Sequence, residues 1–301
     1  MKPLKNLAAA LLLTGVTMSG LTLSGAAAMT PEQEAELVAL LENAEDASSG
    51  ADVGDATITA AQAAVLHGEA ACTFSRLLNA DEFCATDAIV FPPQGAAIDS
   101  IYYSPPEEIG YVDMEEWTED ATAQIDEIWQ SYVEGSKAQS ERIGFEVAPV
   151  KWVLYPTLNN DTKVMTYGIL LNFGGEEVIN LHAIKFTRNG FVEMNIVTDG
   201  AMLADASKDF DAVATYASNT YAPDAGFRYA DFKDGDKIAA IGAVGVLASV
   251  MGVEYSKKGT LAAIGAAILL FAKKLWFLLL AIPVMIWGGV KKFFGGRKPV
   301  E

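Results

Sequence analysis

Residues 150–197 read VKWVLYPTLNNDTKVMTYGILLNFGGEEVINLHAIKFTRNGFVEMNIV. Four strand-length runs stand out: Val150–Pro156, Lys163–Phe173, Val178–Thr187 and Phe191–Val197. They are rich in β-branched and aromatic residues and are bounded by turn formers. Leu158-Asn159-Asn160-Asp161 makes the first connection, Gly174-Gly175 the second and Asn189-Gly190 the third. The last is expected to be a tight hairpin of the kind that needs positive φ. Strands joined by such short turns can only pair antiparallel, so the stretch predicts a four-strand meander.

Before it lies a helical pattern. Ala121, Ile125, Ile128, Trp129 and Tyr132 recur at spacings of three and four and make one face apolar. Thr118 is the expected N-cap, with Glu119 and Asp120 favourable in the first turn, and the helix is expected from Glu119 to Ile143. Earlier still, Ile98–Tyr103 and Glu108–Val112 read as strands joined through Ser104-Pro105-Pro106. After the meander, Ser207 is the expected cap of a helix presenting Phe210, Val213, Ala214 and Ala217. Helix, meander and helix predict an α+β fold, an antiparallel meander sheet packed with helices and followed by a C-terminal helical membrane segment. The domain is expected over residues 56–232. Thr30-Pro31-Glu32-Gln33 has the form of a capping box with proline at N1. Residues 29–55 therefore read as an N-terminal helix, with Leu37, Leu40 and Leu41 at helical spacing, ending near Asp46. The small, polar run Ala47–Asp55 then reads as a linker.

The 301 residues carry 21 basic and 39 acidic side chains, a formal charge of −18, with 51% apolar residues and a mean hydropathy of +0.23. Such apolar content excludes disorder throughout, and the acidity argues against nucleic acid as a partner. The charge is unevenly distributed. Residues 1–28 carry +2, residues 29–236 carry 10 basic against 37 acidic side chains for −27, and residues 237–301 carry +7. Segments this different are expected to occupy different environments.

Residues 1–28 have the form of a secretory signal. Lys2 and Lys5 precede the apolar Leu7–Val16, and Ala26-Ala27-Ala28 offers a small-residue cleavage site. Residues 233–301 read as a membrane-anchoring helical tail with a basic end. Ile238–Val253, Leu261–Ala272 and Leu275–Val290 are apolar runs, each short of the about 20 residues a span needs. The last is the best candidate, with Trp276 and Trp287 at its ends and Lys291 and Lys292 after it. Lys-rich flanks place that end in the cytoplasm. The domain would then lie on the periplasmic side of the inner membrane. One crossing or three both fit this orientation.

Cys72 and Cys84 are the only cysteines. In an exported chain a disulfide is their default state, and closing such a loop is worth about 3 kcal/mol. His67 and His182 are the only histidines, and no ligand spacing for a metal is present. The densest acidic cluster is Glu107, Glu108, Asp113, Glu115 and Glu116. Paired carboxylates of this kind can act as acid and base in hydrolysis or bind a divalent cation, although a solvated acidic loop is the simpler reading. No serine elbow, phosphate loop, metalloprotease or dinucleotide motif occurs, and no cofactor is implied.

The chain resembles a bacterial family of predicted membrane-anchored proteins carrying a domain of unknown function. The resemblance spans roughly residues 70–295. It lies in Glu107-Glu108-Ile109-Gly110-Tyr111-Val112, the helical stretch Tyr132–Gln139, Gly144-Phe145-Glu146, Val150-Lys151-Trp152 and the hairpin Tyr155–Lys163. Gly226-Phe227-Arg228-Tyr229-Ala230-Asp231-Phe232, Asp236-Lys237-Ile238-Ala239-Ala240 and Lys273-Lys274-Leu275-Trp276 complete it. It implies the same signal, domain and tail, and it transfers no catalytic residue. The expected function is a membrane-anchored envelope protein that binds or scaffolds other envelope proteins. The lipid bilayer would be its second partner, through the tail. A carboxylate-dependent hydrolase and a divalent-cation-binding domain are the alternatives.

Overall fold

The computed structural model describes residues 30–253 apart from 80–82, 94–95, 97, 116, 119–120, 144–145 and 199–208. Its centre is an eight-stranded, wholly antiparallel sheet built from two meanders. β4 (Ala64–His67), β5 (Ala88–Phe91) and β6 (Ile98–Tyr103) form one. β7 (Val147–Asn159), β8 (Val164–Phe173), β9 (Glu176–Phe186) and β10 (Phe191–Thr198) form the other. After β6 the chain crosses to the far edge through a 23-residue helix, Ala121–Ile143, and returns strand by strand until β10 pairs with β6. β1 (Glu45–Asp46) closes the other edge against β4. A small sheet of β2 (Ala51–Asp52), β3 (Ala56–Ile58) and β11 (Tyr221–Pro223) stands apart from it.

The helices are α1 (Pro31–Glu42), α2 (Glu69–Asn79), α3 (Ala121–Ile143), α4 (Phe210–Thr220) and α5 (Ala243–Val250). Both faces of the sheet are covered. One face buries Leu181, Ala183, Val192, Met194 and Ile196 against Ala214 and Ala217 of α4 and against the small sheet. The other carries two separate apolar half-cores. In the first, α3 and α5 lie on Tyr167, Ile169, Leu171, Ile184, Phe186 and Phe191. In the second, α1 and α2 lie on Leu66, Ile89, Tyr102 and Val197. Covered on both sides, all eight residues of β10 are buried.

Local signals explain several boundaries. Thr30 and Gln33 form the reciprocal capping box that starts α1. Gly174 and Gly175, at φ 62° and 94°, make the β8–β9 turn that an L-residue pair would resist. Asn159 accepts bonds from the N–H groups of Asp161 and Thr162 and so turns β7 into β8.

The structure departs from the sequence reading in five places. Asn189-Gly190 does not form a positive-φ two-residue hairpin. Thr187–Gly190 all lie between the strands, and of the two expected turn residues only Gly190 is at positive φ, at 155°, while Asn189 is not. Tertiary contacts set this turn. The Arg188 N–H donates to the Phe227 carbonyl, and a Cβ on Gly190 would overlap the Glu107 carbonyl oxygen. Glu108–Val112 is not a strand. Glu107 and Tyr111 make single bridges, to Phe191 and Ile238. Ala47–Asp55 is not a free linker, because Ala47 and Ala51 are buried and β2 places the run in the small sheet, and α1 ends at Glu42. Asp209 caps α4 through the Ala212 N–H, whereas the expected cap Ser207 lies outside the described residues. Finally, residues 238–253 are part of the folded domain. Ala243–Ala248, Val250, Met251 and Val253 are buried beside α3. Their apolarity reflects a core position, and the packed unit extends past the boundary expected at residue 232. No described helix is long and apolar enough to cross a membrane, and residues 1–29 and 254–301, with both expected targeting segments, lie outside the described region.

Candidate functional site

The acidic cluster does not converge. Glu107 and Glu108 line a shallow depression with Asp55, Thr187, Asn189 and Phe227, and neither Asp113 nor Glu115 lines it. Asp113 is engaged locally, accepting from the Glu115 N–H at 2.8 Å. Glu116 lies outside the described residues. Among those described, no three His, Cys, Asp or Glu side chains could together hold a metal ion.

A different cluster, not singled out in the sequence, occupies the interior. Along β10, Val192, Met194 and Ile196 face the α4 side, while Phe191, Glu193, Asn195 and Val197 face the opposite one. Phe191 enters the α3–α5 half-core and Val197 the α1–α2 half-core. Glu193 and Asn195 fall between them at 3% and 0% exposure. Strand pairing sets His182 of β9 opposite Asn195, and Tyr167 of β8 opposite His182. The two rings stack at 4.5 Å and 6°. His182 Nδ1 lies 3.2 Å from Glu193 Oε1. Burial, and then the nearby Glu193 carboxylate, push the Tyr167 hydroxyl well above its ordinary pKa. On the same side of the sheet α3 turns polar, its apolar Ala121, Ile125 and Ile128 giving way to buried Tyr132, Ser136 and Gln139.

The result is a polar seam between two apolar half-cores. It is costly, because both amide atoms of Asn195 lack hydrogen-bond partners and a buried group left so costs about 1–3 kcal/mol. A carboxylate at this distance from an imidazole nitrogen can orient the ring, an arrangement also used in proton transfer. Here both side chains are at most 6% exposed, so this conformation offers them to no solute. Their sequence signal was the pair of polar residues at alternate positions in the otherwise apolar Phe191–Val197.

Two further features lie at the surface. Cys72 and Cys84 are disulfide-bonded, with Cα atoms 4.8 Å apart. The segment after β11 is strapped down. Arg188 donates to both carboxylate oxygens of Asp236 at 2.6 and 2.7 Å, and the Tyr229 hydroxyl donates to the Val112 carbonyl. Tyr111, Tyr229 and Phe232 pack ring on ring, and Lys163 sits over Tyr229 at 5.1 Å. The Asp236 carboxyl is lowered to about 2 by its hydrogen bonds from Arg188 and then from the Lys233 N–H.

These features define an antiparallel α+β domain with a sealed polar interior and a strapped C-terminal segment. The chain belongs to the family described as "Protein of unknown function (DUF2167)", whose family model matches residues 57–283. The match begins at β3 and runs beyond α5. Neither the curated proteins nor the solved structures give a match.

Proposed function

We propose that the chain is a membrane-tethered envelope protein whose exported, acidic domain binds other envelope proteins without performing chemistry. The observation that carries this reading is charge set against packing. Residues 30–253 carry a net −26, whereas residues 254–301 carry +6 around two apolar runs. The first apolar segment, ending in α5, is anchored in the core, so a membrane-embedded continuation would issue from a rigid body. In this reading residues 1–28 are the export signal. Leu275–Val290 is the span, Trp276 and Trp287 sit at the interfaces, and Lys291 and Lys292 hold the cytoplasmic end.

Fractionation tests the tether. The full chain should stay with membranes after a carbonate wash, and a chain ending at Val253 should leave them. In-cell cross-linking of the full chain should then enrich a reproducible set of envelope proteins over a charge-matched exported control. Retention of the shortened chain, or no enrichment, overturns the reading.

The seam favours a second reading, an envelope hydrolase in which an opened conformation exposes His182 as a base oriented by Glu193. This moves the chemistry away from the surface carboxylates. Ester and glycan substrates turned over by the full chain and not by His182→Ala would establish it. Equal turnover by both chains would dismiss it.

A further inference from the structure

The Cys72–Cys84 bond has an asymmetric setting. Cys72 lies on α2 and is 4% exposed, whereas Cys84 is only partly buried. One turn along α2, Arg76 points its guanidinium at the sulfurs, with Nη2 3.0 Å from Cys72 Sγ and 3.5 Å from Cys84 Sγ. Phe83, next to Cys84, is 75% exposed. Cys84 itself sits at φ 50°, a conformation that L-residues rarely adopt.

A bond that serves only as a staple gains no more than a weak hydrogen bond from a cation at its sulfurs, because a neutral disulfide carries no charge for it to stabilise. The cation matters when the bond opens, since exchange releases a thiolate and a better-stabilised thiolate leaves faster. The geometry assigns the two roles: the accessible sulfur is Cys84, and the sulfur nearer the guanidinium is Cys72.

We propose that Cys72–Cys84 is a thiol–disulfide exchange site for an exported dithiol protein. A thiolate of the partner attacks Cys84 Sγ. The Cys72–Cys84 bond breaks, and its electron pair leaves on Cys72 Sγ, held by Arg76. The partner's second thiolate then attacks its own sulfur in the mixed disulfide and releases Cys84 as a thiolate. The chain gains two electrons and, on protonation, two thiols, while the partner's dithiol becomes a disulfide. Phe83 gives the approaching protein an apolar contact beside the attacked sulfur. This inference rests on the export proposed above and is independent of the binding role.

The test uses the full chain in mild detergent with dithiothreitol as the dithiol probe at neutral pH. Maleimide tagging follows the thiols, and circular dichroism follows the fold. The native chain should be reduced without unfolding. Arg76→Leu should slow reduction by about tenfold or more, the size expected for losing a charge-assisted contact to the leaving thiolate. Arg76→Lys, which keeps the charge, should fall between them. Brief exposure to glutathione followed by an acid quench should leave the mixed disulfide on Cys84. Reduction only after denaturation, equal rates in all three chains, or a mixed disulfide on Cys72 would each overturn the assignment. Should Arg76→Leu fail to fold, the lysine variant and the trapped mixed disulfide decide the matter alone.

Discussion

At the scale of single residues, the Glu193–His182 pair combines high cost with close geometry. Buried polar groups taken from water recover their desolvation only through their own contacts, so removing one partner is worse than removing both. Glu193→Leu should destabilise the domain by about 1–3 kcal/mol, the cost of leaving a buried polar group unpaired. His182→Phe combined with Glu193→Leu should cost less than the two single changes together, since a second ring can stack on Tyr167. Urea unfolding of the four chains measures the coupling. Additive costs, within about 0.5 kcal/mol, would show that the 3.2 Å approach carries no interaction. This seam was not legible in the sequence for a physical reason. Phe191-Val192-Glu193-Met194-Asn195-Ile196 has polar residues at alternate positions, the pattern of a strand with one wet face, but it does not say whether that face is covered. Here α1, α2, α3 and α5 cover it. The converse holds for Thr30 and Gln33, whose capping box was readable because all its partners lie within four residues.

Elements follow the same rule, since what local spacing determines could be read and what distant partners determine could not. The meander and the stripe of α3 were legible because their periodicity is internal. β1 and β11 are two or three residues long and exist only through strands remote in sequence, β4 and β3. α5 is apolar on every side, so its composition fits a bilayer and a core equally well, and only packing beside α3 decides. The strap that leads into α5 makes a pH prediction. Arg188 holds Asp236 at about 2, below the usual carboxylate range. A depressed acid stabilises the fold above its unfolded pKa, near 4, and that contribution is lost as pH falls through about 2. Arg188→Met should therefore be less stable than the native chain at pH 7, and the gap should close between about pH 4 and pH 2. Urea midpoints taken across that range test it. A gap that stays constant with pH would mean that Arg188 acts through its other bond, to the Gly226 carbonyl at 3.2 Å, and not through Asp236.

For the whole molecule, the balance of charge outweighs any single pair. Three ion pairs occur among the described residues, His67–Glu45, His182–Glu193 and Arg188–Asp236, against a net −26 over residues 30–253. Most carboxylates thus face other carboxylates at a distance, and folding gathers them. A compact unit of this length has a radius of gyration of about 17 Å. At 0.01 M salt the screening length is about 30 Å, so the whole surface repels itself, whereas at 0.15 M it is about 8 Å and only near neighbours interact. Salt should therefore stabilise the domain. The thermal midpoint of a chain ending at Val253 should rise by several degrees between those two concentrations, with sodium chloride and potassium chloride equivalent. A domain held mainly by surface ion pairs would shift the other way. An unchanged midpoint would mean that the unfolded chain repels itself as strongly as the folded one. The same field bears on the tether proposed above: beside a membrane, an acidic domain would be pushed off the anionic headgroups to which a basic tail end would be drawn. Repulsion and anchor together would hold the domain away from the membrane surface, with its faces turned to other proteins.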